Sequence, residues 1–175
     1  MVYQWYTIGV EQLRTEGRET SKETRNLFTL RVCEAPAHEL SQEFSSSVVV
    51  ADYFRALIGK ADREMFYVVH LDSKNVPLKV ELSSLGDIDT SAVYPRQVMR
   101  SALLFCAQSL IFVHNHPTGA TEPSLCDKEI TRDLIAAAQT LQIRVLDHVI
   151  VGPRKDYFSF ADQGLVDAYA AERRV

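Results

Sequence analysis

The sequence predicts an α/β fold in which helices flank a mixed β-sheet. Segments with apolar residues at helical spacing alternate along the chain with short segments of alternating or continuous apolar residues. With 175 residues, the chain is long enough for one sizeable core and short for two independent domains. A hydrophobic content of 46% and a charged content of 24% are typical of a globular protein and exclude a disordered or fibrous one.

The first predicted elements are a helix and a β-hairpin. The helix VVVADYFRALIGK follows a run of three serines, has apolar residues at helical spacing and ends on Gly59, so it runs from a serine cap to a glycine stop. The segments EMFYVVHLD and VPLKVELSS flank the polar turn SKN. Apolar residues dominate both segments, which predicts an antiparallel pair of strands.

The remaining elements are predicted in the order helix, strand, helix, strand, strand. Pro95 suits the first turn of the first of these helices. The five segments, in chain order, are RQVMRSALLFCAQ, SLIFVH, SLCDKEITRDLIAAAQTLQ, IRVLDHVIVG and DYFSF. SLIFVH is expected to be a short buried strand, because its apolar residues are nearly continuous.

Residues 1–46 are predicted to be an N-terminal extension of unknown role, followed by the domain at 47–166 and a C-terminal tail at 167–175. Within the extension, apolar and polar residues are mixed, and only LFTLRV has the pattern of a strand. The compact core is therefore expected to lie within residues 47–166.

The net charge, and the lack of a sequence pattern for a membrane span or a leader peptide, limit the classes of function that the sequence predicts. A formal net charge of -4 does not favour nucleic-acid binding, which relies on clustered Lys and Arg. The dense basic patch Arg173-Arg174 is interpreted as a solvated tail. No segment approaches the roughly 20 apolar residues of a membrane span, and the first residues lack the pattern of a leader peptide. A cytoplasmic protein that does not bind membranes is therefore expected.

The stretch HNHPTGATEPSLCD, from His114 to Asp127, carries the main chemical signal. Residues i and i+2 of a strand point to the same face, so His114 and His116 at the end of SLIFVH can converge on one point. The turn formers of the next loop let the chain fold back, so Asp127 in the first turn of the following helix can add an oxygen ligand. Two nitrogens, one carboxylate oxygen and an open position for water describe a catalytic zinc site.

A structural explanation competes at the start of that helix. Ser124 and Asp127 have the spacing of a capping box, in which Ser124 is the N-cap residue and an acidic residue follows three positions later. By itself, this pair favours capping over chemistry. The two roles are compatible, because a cap at Ser124 fixes the helix start that presents Asp127.

A zinc hydrolase also needs a general base, for which a carboxylate is the usual choice. Glu64 shares its strand face with Phe66 and Val68, and an acid on an inward-facing side requires a partner. The alternation equally allows Glu64 to be a surface acid where the strand begins, so both interpretations stay open. Glu81 falls on the face opposite to the apolar residues of its strand and is expected to be solvated.

The spacing of these residues resembles a known motif. The order Glu64, His114-x-His116, seven residues, Ser124, two residues and Asp127 is similar to the JAMM motif of the JAB/MPN metalloprotease superfamily. Three segments resemble the RadC family more narrowly. They are EMFYVVHLDSKNVPL, VYPRQVMRSALLFCAQSLIFVHNHPTGATEPSLCDKEITRDL and LQIRVLDHVIVG. The resemblance covers roughly residues 47 to 166 and implies a JAB/MPN, cytidine-deaminase-like architecture.

The resemblance also implies a role for each residue of the motif. His114, His116 and Asp127 would bind one Zn²⁺ ion that carries a water molecule, in agreement with the ligands inferred from spacing alone. Glu64 would be the acid and base that acts on this water. Ser124 would donate a hydrogen bond to the oxyanion of a tetrahedral intermediate, a role that only the resemblance indicates.

Some features depart from the family pattern or have two interpretations. Longer RadC-like proteins carry a helix-hairpin-helix-like segment before this domain, and residues 1–46 show none, which weakens the case for DNA binding. Asp147 and His148 fit the family pattern. They are either ordinary neighbours on a strand, with one side chain facing the core and the other facing outward, or a pair that hydrogen-bonds to the metal ligands. We favour the first interpretation, a plain strand pair. His38 and His70 have no partner at ligand spacing and are interpreted as ordinary surface or strand residues.

These observations predict a zinc-dependent hydrolase of JAMM type that cleaves an amide bond, peptide or isopeptide, in a peptide or protein substrate. One alternative is a DNA-repair-associated or nucleic-acid-processing factor, against which the acidic balance and the single three-ligand site argue. Another is a non-catalytic interaction module, against which the complete residue set argues. The oligomeric state is not predicted, and two histidines and a carboxylate also accept other divalent metals.

Overall fold

The chain divides into two compact units, Met1–Glu39 and Leu40–Val175. The computed structural model describes four parts of them, residues 6–10, 30–34, 43–86 and 93–172. In the first unit, β1 (Tyr6–Val10) pairs antiparallel with β2 (Leu30–Glu34). The predicted strand LFTLRV overlaps β2, whereas the sequence pattern did not indicate β1. Three residues interpreted above as surface or tail residues lie outside the described ranges, namely His38, Arg173 and Arg174.

The second unit contains every element predicted for residues 47–166 and one more helix. In chain order the elements are α1 (Ser47–Ile58), β3 (Met65–Leu71), β4 (Pro77–Leu85), α2 (Pro95–Leu104), β5 (Ser109–Asn115), α3 (Leu125–Thr140), β6 (Arg144–Val151), β7 (Tyr157–Ser159) and α4 (Leu165–Ala171). The additional helix is α4, which begins at the end of the predicted domain and continues into the residues 167–175 assigned above to a tail. Its Val166 and Tyr169 are buried, so the packed chain continues past residue 166.

The strands of the second unit form one mixed sheet in the order β4-β3-β5-β6-β7. Only the β5–β6 pair is parallel among the paired strands described in it. A parallel pair needs a crossover, which α3 supplies. Because the chain leaves β5 at one edge of the sheet and α3 starts back from that edge, the end of β5 and the first turn of α3 meet there. This topology positions the candidate site.

One face of the sheet is covered by α1. The Oγ of Ser46 accepts the N–H of Val49 at 3.4 Å, and Gly59 follows the last turn, which confirms the predicted cap and stop. Phe54 is completely buried, and truncation of such a ring typically costs about 3–5 kcal/mol. Phe44 packs against Phe54, with ring centroids 6.2 Å apart, so the core already includes residues before 47.

The opposite face is covered by α2 and α3. Its core includes alternate residues of the two central strands, namely Phe66, Val68, Leu110 and Phe112. Every residue of β5 is buried, which confirms the strand predicted from SLIFVH. Among the described residues, no helix is long and apolar enough to cross a membrane.

Candidate metal centre

His114 and His116 lie at the end of β5 and converge as the strand alternation predicts. His114 is completely buried and sits opposite Phe66 of the neighbouring β3. The N–H of His116 donates to the carbonyl of Val151 at 2.9 Å, which keeps the chain aligned with the sheet past the end of β5. The Nε2 atoms of the two imidazole rings are 3.1 Å apart.

Asp127 completes the group from the first turn of α3. Its Oδ1 is 3.2 Å from the Nε2 of His114, and its Oδ2 is 3.4 Å from the Nε2 of His116. One ligand atom from each of the three residues lies within 4.8 Å of the others. In the part of the chain that the structure describes, no other group of three His, Cys, Asp or Glu residues is arranged to hold a metal ion.

Ser124 forms the predicted capping box with Asp127. The Ser124 Oγ accepts the N–H of Asp127 at 3.1 Å, and the Ser124 N–H donates to Asp127 Oδ2 at 2.8 Å. The Ser124 hydroxyl also donates to Oδ2, at 2.7 Å. An ordinary cap is exposed to solvent, whereas only 1% of Asp127 is exposed. The cap therefore fixes a carboxylate that is buried against the two histidines, and capping and ligation are compatible here.

The far side of each imidazole is hydrogen-bonded to the protein. His116 Nδ1 lies 2.6 Å from the Ala120 carbonyl, and because a carbonyl only accepts, Nδ1 is the donor. A neutral imidazole carries one N–H, so the Nε2 of His116 presents a lone pair to the group. His114 Nδ1 lies 2.8 Å from the Nε2 of His148.

This donor set fits a divalent cation. Unprotonated nitrogens and a carboxylate at separations of 3.1 to 3.4 Å repel one another unless protons or a cation lie between them. Two imidazole nitrogens and one carboxylate oxygen are the donors that zinc takes in catalytic sites, which keep one position open. The structure thus brings together the ligand set predicted from the sequence.

The pKa values at the site reflect the same convergence. Burial disfavours the protonated form of His116, but hydrogen bonds to Asp127 and the Ala120 carbonyl, with the charges of Asp127 and Glu64, raise its pKa above 6.5. Burial also disfavours the ionised form of Asp127, yet hydrogen bonds from the two imidazoles in their protonated forms, and from Ser124, hold its pKa far below 3.8. The site therefore stabilises a carboxylate beside a positive charge, which a metal ion or a protonated imidazole can provide.

Glu64 lies directly before β3, at the level of the histidines. In the antiparallel β3–β5 pair Phe66 is opposite His114, so the same register continued by two residues brings Glu64 to the level of His116. Glu64 is half-buried, and its charge contributes to the raised pKa of His116. Partial burial and the charge effect on His116 agree better with an inward-facing Glu64 than with a surface acid.

Asn115, between the two histidines, fixes the segment that carries Glu64. Its side chain points to the other side of the strand, because successive strand residues alternate. Its Oδ1 accepts the N–H of Met65 at 2.9 Å, and its Nδ2 donates to the carbonyl of Arg63 at 3.1 Å. Both neighbours of Glu64 are therefore tied to β5. Sequence analysis missed this role, because it depends on the pairing of β3 with β5.

The interpretation of Asp147 and His148 as a plain strand pair is wrong for His148. His148 is completely buried, and its ring nitrogens contact His114 Nδ1 at 2.8 Å and the Thr131 hydroxyl at 2.6 Å. Its ring stacks on Phe160, with centroids 4.9 Å apart. Burial, together with the nearby His114, lowers the pKa of His148 well below 6.5. The family pattern was a signal for this pair, but the link to His114 requires the register of β5 and β6.

Asp147 points to the opposite face and is also buried. Its Oδ1 accepts the N–H groups of His148, at 2.7 Å, and of Ala161, at 2.9 Å. Its Oδ2 accepts the hydroxyl of Ser159 at 2.7 Å. Burial raises the pKa of Asp147 to about 6, although these hydrogen bonds act in the other direction. Asp147 therefore joins β6 to the segment that follows β7.

His70 is a residue of β3 outside the metal group, as interpreted from the sequence, whereas Glu81 is only partly solvated. His70 is completely buried, and its Nε2 lies 3.0 Å from Glu81 Oε2. The hydroxyl of Ser101, on α2, donates to the same oxygen. The hydrogen bond with His70 is the largest cause of the lowered pKa of Glu81. Glu81 is thus partly covered by α2, which an alternation of strand residues does not show.

The fold and the site together define a class of protein. A mixed sheet presents a histidine pair at a strand end next to an acidic residue in the first turn of the next helix, which agrees with the resemblance to the JAB/MPN superfamily. A family model described as "RadC-like JAB domain" matches residues 44–165. The chain belongs to this RadC-like JAB family, as its resemblance to RadC proteins predicted.

Similar proteins from several bacteria carry the name UPF0758. The UPF0758 protein of Histophilus somni (strain 2336) is 40% identical over 128 residues, which cover 73% of this chain and 57% of that protein. The UPF0758 protein YkfG of Escherichia coli (strain K12) is 38% identical over 159 residues, which cover 90% of this chain and 100% of YkfG. The chain therefore spans little more than half of the first relative and matches the whole of the second.

Proposed function

We propose that this protein is a zinc-dependent hydrolase of JAMM type that cleaves an amide bond in a peptide or isopeptide linkage. The observation that carries the proposal is the convergence of His114, His116 and Asp127 at one buried edge of the sheet. The far side of each of these three groups is held by a hydrogen bond. Membership of the RadC-like JAB family supports a metallohydrolase.

Zinc is proposed because it takes two imidazole nitrogens and a carboxylate oxygen as catalytic ligands. When bound, the metal would supply Lewis acidity, which polarises a substrate carbonyl and lowers the pKa of a water molecule toward ~7. The three proposed ligand residues supply negative charge and a fixed orientation. Asp127 contributes the negative charge of the set, and the hydrogen bonds of the two histidines keep their Nε2 atoms directed at the same point.

Glu64 is the proposed general acid and base. It is half-buried at the level of His116, where its charge already acts on that ring. The carboxylate would accept a proton from the attacking water and return it to the leaving amine. Its position depends on Asn115, which ties both neighbouring residues to β5.

Ser124 is the proposed donor to the oxyanion of the tetrahedral intermediate. Its hydroxyl donates to Asp127 Oδ2, and the residue is exposed at the start of α3. A hydroxyl has a single proton, so a donation to the oxyanion requires the hydroxyl to rotate away from Asp127. The Ser124 N–H remains on Oδ2 during this rotation, which keeps the ligand in place.

The experiment that tests the proposal is hydrolysis of fluorogenic peptide and isopeptide probes by the zinc-loaded full chain and by its Glu64→Gln variant. Loss of a general base typically lowers the rate by roughly 10²–10⁴-fold. We therefore expect Glu64→Gln to lose activity by that factor while it keeps its zinc, because Glu64 is not one of the ligands. Glu122→Gln, an exposed acid in the loop before α3, is the matched control and should keep full activity.

Two outcomes would contradict the proposal. Equal hydrolysis by the wild type and Glu64→Gln would remove Glu64 from the mechanism. Zinc-dependent cleavage of oligonucleotides without cleavage of any peptide or isopeptide probe would favour the nucleic-acid alternative. That alternative has the net charge of -4 against it, and it also predicts an affinity for DNA that falls with salt.

A further inference from the structure

A chain of hydrogen bonds runs from the backbone of α3 to the ligand His114. The hydroxyl of Thr131 contacts the carbonyl of Asp127 at 2.5 Å and the Nδ1 of His148 at 2.6 Å. The Nε2 of His148 contacts the Nδ1 of His114 at 2.8 Å. Thr131, His148 and His114 are each 0% exposed, so bulk water does not compete for these bonds. The chain starts at the backbone of Asp127, whose side chain faces His114 from the other side.

The direction of every bond in this chain follows from its first member. A carbonyl only accepts, so the single proton of the Thr131 hydroxyl goes to Asp127, and the hydroxyl oxygen must accept from His148 Nδ1–H. A neutral His148 then carries a lone pair on Nε2 and accepts from His114 Nδ1–H. His114 Nε2 is left unprotonated, 3.2 Å from Asp127 Oδ1.

The opposite arrangement of protons would block the site. If Thr131 donated to His148, then His148 would donate to His114 Nδ1, and the proton of His114 would sit on Nε2 against Asp127. Such a ring cannot bind a metal through Nε2, because a ligand imidazole needs a free lone pair. The contact between the Thr131 hydroxyl and the Asp127 carbonyl would also join two acceptors at 2.5 Å. The geometry therefore selects the first arrangement.

Aromatic packing fixes the planes of both rings. Phe160 stacks on His148, with 11° between the planes, and Phe66 stacks on His114, with 16° between the planes. Phe112 meets the His148 ring edge-on. Rings held in this way cannot turn to exchange their nitrogens without disturbing the core. The tautomer and the orientation of His114 are therefore set by its neighbours before any metal binds.

We infer that Thr131 and His148 are positioning residues that hold His114 in the tautomer required for metal binding. The inference rests on the proposed function. Metal-binding histidines usually donate their second N–H to a carboxylate, a backbone carbonyl or water. Here the acceptor is a neutral histidine, so Asp127 is the only charged member of the proposed ligand set. The Asp127 backbone carbonyl, which anchors the chain, couples the two ligands through α3.

The first test is the tautomer state of the metal-free full chain, measured at pH 8 from the two-bond ¹H–¹⁵N spectrum of its imidazole rings. We expect His148 to carry its proton on Nδ1 with Nε2 unprotonated, and His114 to carry a proton on Nδ1. The spectrum needs no substitution in the hydrogen-bond chain from Thr131 through His148 to His114, and it does not depend on zinc. A proton on the Nε2 of His148 would overturn the inference, whatever the fate of the proposed function.

The second test compares Thr131→Val with Thr131→Ser. Valine keeps the shape of threonine but removes the hydroxyl, so His148 Nδ1–H loses its acceptor, whereas serine keeps the hydroxyl. We expect Thr131→Val to weaken zinc affinity, measured by chelator competition, by roughly 10–100-fold and to mix the tautomers of His148. Thr131→Ser should restore most of the affinity and a single tautomer.

The outcomes separate the inference from the proposed function. Wild-type affinity and a single His148 tautomer in folded Thr131→Val would overturn the inference and leave the proposed function intact. A wild type that binds no zinc but shows the expected tautomers would contradict the proposed function and still support the positioning role of Thr131 and His148. Should Thr131→Val fail to fold, the wild-type spectrum and Thr131→Ser remain decisive.

Discussion

Each of the two candidate histidine ligands is oriented by a different acceptor. His116 donates to a loop carbonyl at Ala120, and His114 donates to a buried imidazole on β6. The loop acceptor depends on Gly119, whose φ of +86° is a conformation that residues with a Cβ rarely adopt. Two independent hydrogen bonds, one from each imidazole, therefore orient the Nε2 atoms of His114 and His116 toward the Asp127 carboxylate. The capping box with Ser124 holds this carboxylate in place.

Asp147 gives a prediction about stability and pH. Its pKa is raised from 3.8 to about 6 in the folded protein, so between these pH values the folded state binds more protons than the unfolded state. The contribution of Asp147 to the free energy of unfolding is therefore fully present below pH 3.8 and is lost as the pH rises through 6. A shift of this size corresponds to about 3 kcal/mol.

Asp147→Asn should remove this dependence, because the amide oxygen can still accept both N–H groups and no charge is buried. We expect urea unfolding of metal-free protein to show the variant gaining stability relative to the wild type from pH 4 to pH 7, by about 3 kcal/mol at most. Asp156→Asn, at an exposed position, should show no such change. A stability difference between wild type and Asp147→Asn that stays constant with pH would contradict the prediction.

At the scale of elements, the site depends on three junctions of the sheet. The crossover from β5 to β6 brings the first turn of α3 to the histidines, the β3–β5 register brings Glu64 to them, and the β5–β6 register brings His148 behind them. The sequence could predict which side chains converge as candidate ligands, because strand alternation, a turn-rich loop and a helix cap are local patterns. His148, Thr131 and Asn115 act across strands and helices, so their roles required the pairing itself.

Asn115 gives a prediction at the junction between α1 and β3. Asn115→Ala removes both hydrogen bonds that tie the neighbours of Glu64 to β5. We expect the free energy of unfolding to fall by about 1–3 kcal/mol, since buried backbone groups lose their partners. Hydrolysis per folded molecule should fall as well, with zinc affinity unchanged, because the Asn115 side chain points away from the ligands.

Ser109→Ala is the matched control for Asn115→Ala. It removes another buried hydrogen-bonding side chain from the far end of β5, where the hydroxyl donates to Asn75. Its stability should fall, but its activity per folded molecule should not. If both variants lost activity in proportion to stability alone, Asn115 would have no particular effect on Glu64.

At the scale of the whole molecule, the sheet separates the site from the α1 core, while the core under α2 and α3 lies on the same face as the site. The α1 face is apolar over most of its area, while the other face changes from apolar residues to histidines toward the end of β5. The predicted fold class is confirmed, because the order of elements and the apolar patterns determine the layers. The contact of buried His70 with Glu81 was not predictable in the same way, because it depends on the β3–β4 register and on where α2 crosses the hairpin.

The central claim is that His114, His116 and Asp127 bind a metal ion, and metal content tests it most directly. The full chain is purified without added metal or an affinity tag of histidines and is analysed by elemental mass spectrometry beside Asp127→Ala and Glu129→Ala. Glu129 lies exposed on the same helix and is the control. We predict about one zinc per chain in the wild type and in Glu129→Ala, as expected for a three-ligand catalytic site, and little in Asp127→Ala. Folded wild-type protein that holds no metal even after dialysis against zinc would contradict the claim.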